Sequence, residues 1–349
     1  MVQRLMENEF DEDFDFGSIK GLDRLQSMNK KDGRPTNKPG LRQLEKHQDV
    51  GETDFTGENF DFQYCASRYE QGWLTESLGD FYEQHWIKDV LRMIKGGKEA
   101  SVYQCLADDS TDTIFLAAKV YRPKQFRNLK NDFVYRENRD YLDENGHVIR
   151  DTRMNHAIRK KTNYGQQLTH ISWIEHEIKT MDILKSAGAD IPKPYASGEN
   201  AILMSYVGSE DLAAPTLNEI SLPPDLARIL FDRVIFNIEL MLANQRIHAD
   251  LSAFNILFWD DQITIIDFPQ AIDPTQNPNS WRIFKRDVVR VCQYFQRQNV
   301  KTDPDRLAYD LWKKFRLPPV LEVDFSIQNL EEENIHIPVK NANAIELGL

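Results

Sequence analysis

Apolar residues recur at helical spacing in three stretches of the second half of the chain. Positions 225–245 predict a long helix that follows Pro223 and Pro224. The residues expected to face inward are Leu226, Ile229, Leu230, Val234, Ile238 and Leu242. Positions 172–184 and 284–296 have the same spacing and predict two further helices.

Shorter apolar runs predict strands, most of them in the first half. Positions 91–94 and 101–106 flank a glycine-containing turn, and 114–121 and 201–207 are longer apolar runs. Upstream, positions 64–90 predict one or two helices that extend the core. Their apolar residues are Trp73, Leu74, Leu78, Phe81, Trp86, Ile87 and Val90.

The run from His248 to Asn255 carries the most specific chemistry. Asp250 can accept the proton of an attacking hydroxyl, and Asn255 can bind Mg²⁺ through its side-chain oxygen. Asp267 follows the β-rich stretch 262–266 and can bridge the metal to ATP phosphates. The alternative is that Asp250 and Asn255 only cap a turn and that Asp267 only ends a strand. Because the His248–Asn255 segment and the Asp267 segment occur together and in this order, we expect a kinase-like site. Its catalytic residues should be Asp250, Lys119 and Asp267.

The turn before the second strand is a candidate phosphate-binding loop. Its glycines permit close approach of the backbone to phosphates, and its serine offers a hydroxyl and an amide. The candidate nucleotide-binding residues are Gly96, Gly97, Lys98, Ser101 and Val102. The turn is neither a Gly-x-Gly-x-x-Gly motif nor a Walker loop, so an ordinary hairpin turn stays open as its alternative.

Lys119 lies within an apolar strand, where an unpaired cation is costly. It either holds the α- and β-phosphates or lies on an edge strand and points to water. Its partner should be a glutamate on the helix that follows. Ser172 and Glu175 fit a capping box, which leaves Glu177 as the better partner for Lys119.

Together these segments resemble the RIO family of atypical serine/threonine kinases. The resemblance spans about 91–300 and is closest to the type-one branch, including its prokaryotic members. The motifs are Gly97–Tyr103, Ala118–Tyr121, Glu175–Glu177, His248–Asn255 and Ile266–Gln270. As in that family, alanine replaces the arginine of His-Arg-Asp, and proline replaces the glycine of Asp-Phe-Gly.

The resemblance implies an α+β, two-lobed protein-kinase-like fold. Its N-lobe is an antiparallel sheet with a helix, and its C-lobe is trimmed and mainly helical. It implies ATP and Mg²⁺ as cofactors, with Mn²⁺ as an alternative metal, and a Ser/Thr hydroxyl of a protein as acceptor. By the same resemblance Met204 is the gatekeeper, Ser205 and Val207 are hinge residues, and Asp287 lies buried beneath the catalytic loop. Asp267 can also accept phosphate itself, as in some family members.

Two other functions remain open at this point. One is an ATP-driven switch on a ribonucleoprotein, since maturation of the small ribosomal subunit is the usual setting of the family. The other is a small-molecule phosphotransferase, because aminoglycoside and choline kinases share the His-x-Asp-x-x-x-x-Asn pattern. The 97–103 loop resembles the RIO pattern more closely than theirs.

Composition and charge limit the binding partners and the cellular location that we expect for this chain. The net charge of −12 argues against wholesale nucleic-acid binding. Positions 119–161 nevertheless hold twelve bases against six acids. This excess predicts a solvated face, a contact with an acidic substrate, or a contact with ribosomal RNA through segment 122–168. The three cysteines lack metal spacing, and no long apolar run occurs. We expect reduced thiols, no membrane span and a cytoplasmic enzyme.

The distribution of apolar and polar residues also predicts how the chain is divided into lobes and extensions. We expect a polar extension over 1–60, mostly disordered with an acidic start, and a helical extension over 61–90. The N-lobe should span 91–207 with the basic insertion 122–168, and the C-lobe 208–317. An acidic tail should occupy 318–349.

Overall fold

The computed structural model of this chain describes residues 60–97, 99–122 and 139–318. The predicted extensions over 1–59 and 319–349, the candidate Lys98 and residues 123–138 of the basic insertion lie outside the described residues. They therefore stay predictions. None of the helices in the described part is long and apolar enough to cross a membrane.

Five antiparallel strands form the sheet of the N-terminal half. Their spatial order is β1-β2-β3-β5-β4. They are β1 (Ile87–Gly96), β2 (Ala100–Ala107), β3 (Phe115–Tyr121), β4 (Pro194–Ser197) and β5 (Ala201–Ser205). Because side chains alternate between the two faces of a strand, each face of this sheet collects its own apolar cluster.

One helix covers each face of the sheet. The first helix, α1 (Arg68–Glu83), buries Leu74, Leu78 and Phe81 in a cluster with residues of β1, β2 and β3. On the other face, Trp173 and Ile174 of α3 (Asn163–Ser186) pack against Tyr121 and Ile202. The short α2 (Thr152–Arg159) precedes α3 and contacts it.

The C-terminal half is mainly helical. It holds α4 (Pro224–Ala243), α5 (Ser280–Arg297) and α6 (Pro304–Lys314), with the hairpin β6 (Ile256–Trp259) and β7 (Gln262–Ile265) between α4 and α5. Its large apolar cluster includes buried residues of all three helices and of the hairpin, and it extends to Ala117 and Met204 of the sheet. A five-stranded sheet with its helices beside a helical half is the two-lobed α+β architecture that the sequence predicts.

Three local predictions were wrong. Ser172 does not cap a helix, because α3 begins nine residues earlier, at Asn163, where the Thr162 side chain accepts a hydrogen bond from the Gly165 amide. Ser172 is buried in mid-helix, and its hydroxyl accepts from Leu142 N at 2.9 Å. A capping box fits any Ser-x-x-Glu spacing, so a helix interior can match it by chance.

The other two errors concern burial and the end of α1. Ile229, expected to face inward on α4, is 64% exposed. Ile87 and Val90, expected in a helix, are buried residues of β1. Both are β-branched, which favours a strand, and the chain has already left α1 at Glu83.

Candidate active site

Lys119 lies on the central strand of the sheet. Its neighbours are Val102 on β2 and Ile202 on β5, so β3 is hydrogen-bonded on both sides. The residue is only 8% exposed. The edge-strand interpretation of Lys119 is therefore wrong, and this cation needs protein partners.

Glu177 is the first of those partners. Its Oε1 accepts a hydrogen bond from Lys119 Nζ at 2.7 Å and one from the Phe268 backbone amide at 3.3 Å. Its Oε2 accepts from the Tyr121 hydroxyl. Since Glu177 is 1% exposed, its carboxylate is buried, and all three donors come from other elements of the fold.

Asp267 is the second partner. Its Oδ1 lies 2.6 Å from Lys119 Nζ, and its side chain is 42% exposed. The backbone of Asp267 has φ 75°, a left-handed conformation that non-glycine residues rarely adopt. Such outliers persist only where the surrounding structure holds them, and they concentrate at functional sites.

Burial and charge oppose each other in this cluster. Burial lowers the pKa of Lys119, but the carboxylates of Asp267 and Glu177 outweigh it and hold the pKa well above its usual value. Burial raises the pKa of Asp267, and the Lys119 cation reverses this, so that the pKa lies below its ordinary value. The ammonium and the Asp267 carboxylate are therefore both charged near neutral pH.

Asp250 and Asn255 are joined in the loop that follows α4. The side-chain amide nitrogen of Asn255 donates to the backbone oxygen of Asp250 at 2.9 Å and to its Oδ2 at 3.3 Å. Because the amide nitrogen is used within the loop, the amide oxygen of Asn255 is the atom left to act as a ligand.

The hairpin β6–β7 brings Asn255 next to Asp267. Ile256 pairs with Ile265 across it, and the Ile266 amide donates to the Asn255 carbonyl at 3.0 Å. Two candidate oxygen ligands, separated in sequence by this hairpin, thus lie at the same end of it. Carboxylate and amide oxygens suit Mg²⁺.

His248 supports the loop from within. It is 2% exposed, its Nε2 lies 3.0 Å from the Ile266 carbonyl, and its Nδ1 accepts from the Asp250 amide at 3.3 Å. A ring that bonds backbone groups through both nitrogens joins the two loops, so His248 acts as a support of the catalytic loop.

Asp287 lies beneath the same loop, where the resemblance placed it. It is 2% exposed, and Arg286 lies beside its Oδ1 at 3.2 Å. Burial raises the pKa of Asp287, although His248, Arg286 and the hydrogen bond from the Leu251 amide pull it down. Arg286 also donates to the carbonyl of Ala249, whose φ is 66°. Arg286 and Asp287 lie on α5, so this helix holds a loop whose backbone is locally strained.

The glycine turn is a hairpin turn that joins β1 to β2. Gly96 is paired with Ser101 across it, and Ser101 is 1% exposed. A side chain at Gly97 would place its Cβ 2.7 Å from the Ala100 carbonyl, so the tight turn requires glycine there. Val102, next on β2, packs against the apolar cluster that includes Ala117 and Met204.

The predicted hinge begins at the end of β5, which contains Met204 and Ser205, and continues to Val207 after it. Met204 is 8% exposed and pairs with Ala117. The Ser205 amide donates to the Lys193 carbonyl at 2.8 Å, and the Val207 carbonyl accepts from Ala214 at 3.0 Å. These two backbone groups are therefore engaged within the protein.

Sequence reasoning missed two residues of this site. Tyr121 belongs to the Ala118–Tyr121 motif, and its hydroxyl bonds Glu177. Arg290 belongs to none of the motifs, and it forms an ion pair with Asp250 at 3.0 Å. The strand pattern gives a weak signal for Tyr121, since positions 119 and 121 share a face of β3. No local signal points to Arg290, which lies forty residues beyond its partner.

Comparison with known proteins identifies the family of this chain. The RIO domain family model matches residues 101–307. The RIO-type serine/threonine-protein kinase Rio1 of Thermoplasma acidophilum is 33% identical over 142 residues, which is 41% of this chain and 73% of that protein. The Rio1 kinase of Haloferax volcanii is 29% identical, and the match covers 61% of this chain and 66% of that protein.

Human serine/threonine-protein kinase RIO1 is 27% identical over 61% of this chain, and the match spans only 34% of the human protein. Among solved structures, the Rio2 kinase-ADP/Mg²⁺-phosphoaspartate complex of Chaetomium thermophilum is 25% identical. That match covers 70% of this chain and 66% of the other, with a TM-score of 0.48. The family match covers more than half of the 349 residues. The chain belongs to the RIO domain family, and the prediction of an atypical RIO-type serine/threonine kinase is confirmed.

Proposed function

We propose that this chain transfers the γ-phosphate of Mg-ATP to a serine or threonine hydroxyl of a protein. The observation that carries the proposal is the convergence of Lys119, Glu177 and Asp267 in one ion-paired cluster, beside a loop that presents Asp250 and Asn255. Phosphoryl transfer depends mainly on positioning and charge neutralisation, and these side chains supply both.

Lys119 and Asp267 take the nucleotide and metal roles in this proposal. They neutralise each other at 2.6 Å, so a ligand that separates them has to satisfy both charges. ATP phosphates satisfy the ammonium and Mg²⁺ satisfies the carboxylate, while Glu177 keeps Lys119 in place. Asn255 contributes the second protein oxygen to the metal, for which Mn²⁺ is an alternative occupant. When bound there, the metal would supply charge neutralisation at the phosphates.

The adenine half of the site uses the hinge. We assign the Ser205 carbonyl and the Val207 amide to the base, since the other backbone group of each residue is engaged. Met204 and Val102 supply apolar surface on the face of the sheet that carries Lys119. Gly96, Gly97 and Ser101 form the turn over the phosphates.

Asp250 is the proposed base. Its carboxylate is 50% exposed, so an acceptor hydroxyl can reach it. As the hydroxyl oxygen bonds to the γ-phosphorus, the bond from that phosphorus to the β-phosphate oxygen breaks, and the proton passes to Asp250. His248, whose two ring nitrogens bond backbone groups, stays a support of the loop.

The small-molecule phosphotransferase is not favoured by the comparisons, because the curated relatives reported above are protein kinases. A panel of aminoglycosides and choline, set against a protein acceptor, tests the choice directly. Phosphorylation of a metabolite with no transfer to protein would refute the proposal.

A basic corner supports a further part of the proposal, an association with ribosomal RNA. Three exposed cations, Arg159, Lys160 and Lys161, lie where α2 meets α3, and a fourth, Arg153, lies at the start of α2. Tyr164, 54% exposed, lies beside them. A Cβ on Gly165 would lie 2.0 Å from the Ala157 carbonyl, so the two helices touch and fix the segment that carries these cations. Clustered cations with an exposed aromatic ring suit an RNA strand.

The state of the cysteines indicates the cellular compartment. Cys65 is exposed and free, and Cys105 and Cys292 are buried and free. Free thiols favour a reducing compartment, so we propose that the enzyme acts in the cytoplasm.

The decisive experiment is the Asp250→Asn variant, which keeps the size of the side chain and removes most of its basicity. Phosphoryl transfer by the purified variant should fall by at least ~10²-fold, the lower range for a positioned general base. ATP binding should change little, because Asp250 is not one of the assigned metal ligands. Turnover at the wild-type rate would refute the assignment of the base.

A further inference from the structure

One face of α5 contacts three consecutive residues of the catalytic loop, Ala249, Asp250 and Leu251. Arg286 and Asp287 bond the backbone on either side of Asp250, as described above. Arg290 follows Arg286 by four residues and therefore lies on the same face of the helix. Its Nη1 donates to Oδ1 of Asp250 at 3.0 Å. The helix thus holds both the backbone of the loop and the side chain of the proposed base.

The two carboxylate oxygens of Asp250 have different partners. Oδ1 has the 3.0 Å bond from Arg290, whereas Oδ2 has a longer contact of 3.3 Å from Asn255. The shorter, charge-assisted bond is the stronger restraint on rotation of the carboxylate. Without Arg290, the 3.3 Å contact would have to orient the group. The terminal torsion of an aspartate is broad, so such a carboxylate turns readily.

This ion pair contributes little to folding. The Asp250 side chain is 50% exposed and that of Arg290 is 41% exposed, and solvent-exposed pairs stabilise proteins only slightly. The pair involves Asp250, the proposed general base, so its loss should affect the rate of the reaction more than the stability of the fold. Small displacements of a reacting group reduce rate far more than they reduce stability.

We propose that Arg290 is a positioning residue that fixes the Asp250 carboxylate for the acceptor hydroxyl. It takes Oδ1 and leaves Oδ2 directed to the acceptor. The inference rests on the proposed function, because it needs Asp250 to be the base. It assigns a role to a residue of α5 that no motif of the catalytic loop contains.

The test compares Arg290→Gln, Arg290→Lys and the matched control Arg282→Gln in a protein-phosphorylation assay. Arg282 is exposed on the same helix, about two turns before Arg290. Arg290→Gln should lower kcat by ~10–10²-fold with the KM for ATP unchanged, as expected for a displaced reacting group. Arg290→Lys keeps a cation and should recover part of kcat, and Arg282→Gln should match the wild type. An unchanged kcat in Arg290→Gln would overturn the proposal.

A double variant separates positioning from other effects. In the Asp250→Asn background, Arg290→Gln should cause no further loss, because residues that act as one unit are not additive. A full additional loss would show that Arg290 acts elsewhere and overturn the proposal. So would a melting temperature for Arg290→Gln well below that of Arg282→Gln, since the pair would then stabilise the fold. Wild-type turnover by Asp250→Asn alone would instead refute the proposed function.

Discussion

Removal of the Glu177 carboxylate gives the most direct test of the buried cluster. Glu177→Ala takes one partner from Lys119, which is 8% exposed, and one from Tyr121, which is fully buried. Breaking a buried pair by removing one partner costs about 3–5 kcal/mol, since the other charge stays buried. An unsatisfied buried hydroxyl adds about 1–3 kcal/mol. Lys119 keeps Asp267 at 2.6 Å, so the total should stay near the lower range.

We therefore expect Glu177→Ala to lower the free energy of unfolding by about 4 kcal/mol. For a domain of this size each kcal/mol shifts the melting temperature by roughly 2–4 °C, so Tm should fall by ~10 °C. Tyr121→Phe removes the hydroxyl and leaves the buried Oε2 of Glu177 without this donor, so it should cost about 2 kcal/mol. Differential scanning calorimetry at neutral pH measures both variants.

Glu175→Ala is the matched control, because Glu175 is a partly buried glutamate two residues away on the same helix. It should change Tm far less than Glu177→Ala. Transfer of the γ-phosphate should fall in Glu177→Ala and in Lys119→Ala to a similar extent, by up to ~10²-fold, because the first change displaces the phosphate-binding cation and the second removes it. The reasoning is refuted if Glu175→Ala is the more damaging change in either assay.

Three further predictions concern charge. Burial and the nearby Asp143 raise the pKa of Glu175 to about 7, so its stabilising protonated form is lost as pH rises from the unfolded value of about 4.3 through 7. Glu175→Gln should therefore gain ~1 kcal/mol over the wild type at about pH 8 and almost nothing at low pH, after allowance for solvent exposure; equal denaturation midpoints at both pH values would contradict this. Replacing all four cations of the basic corner by alanine should weaken RNA association and make its salt dependence shallower by about one unit per lost phosphate contact, with catalysis on a small generic substrate retained; absence of RNA binding by the wild type at low salt would leave the corner a solvated face. Incubation with γ-labelled ATP and no protein acceptor should give hydroxylamine-labile label on the Asp267 peptide, since a carboxylate beside the γ-phosphate can attack it; label confined to serine or threonine would exclude that chemistry.

The sequence by itself determined the chemistry of the catalytic loop. Asp250 and Asn255 lie within one short segment, and Asp267 follows one hairpin later, so their grouping depends on local chain geometry. Local spacing of this kind survives in a one-dimensional pattern. The helical and strand periodicities also gave most elements, because burial on one face imposes the period.

Tertiary structure decided which glutamate meets Lys119. Glu175 and Glu177 lie on the same helix, and two residues turn the helix by roughly 200°, so they face opposite sides. The sequence argument for Glu177 relied on Ser172 as a cap, and that premise was wrong. The choice follows instead from the register between β3 and α3, which no local pattern encodes.

The contact of Arg290 with Asp250 is even harder to predict from the sequence. Its contact with Asp250 joins α5 to a loop forty residues earlier, through the packing of the helical half. Periodicity predicts that α5 is amphipathic and which residues are buried, but not which loop lies against its half-exposed arginine. Long-range packing fixes that pairing, and with it the orientation of the proposed base.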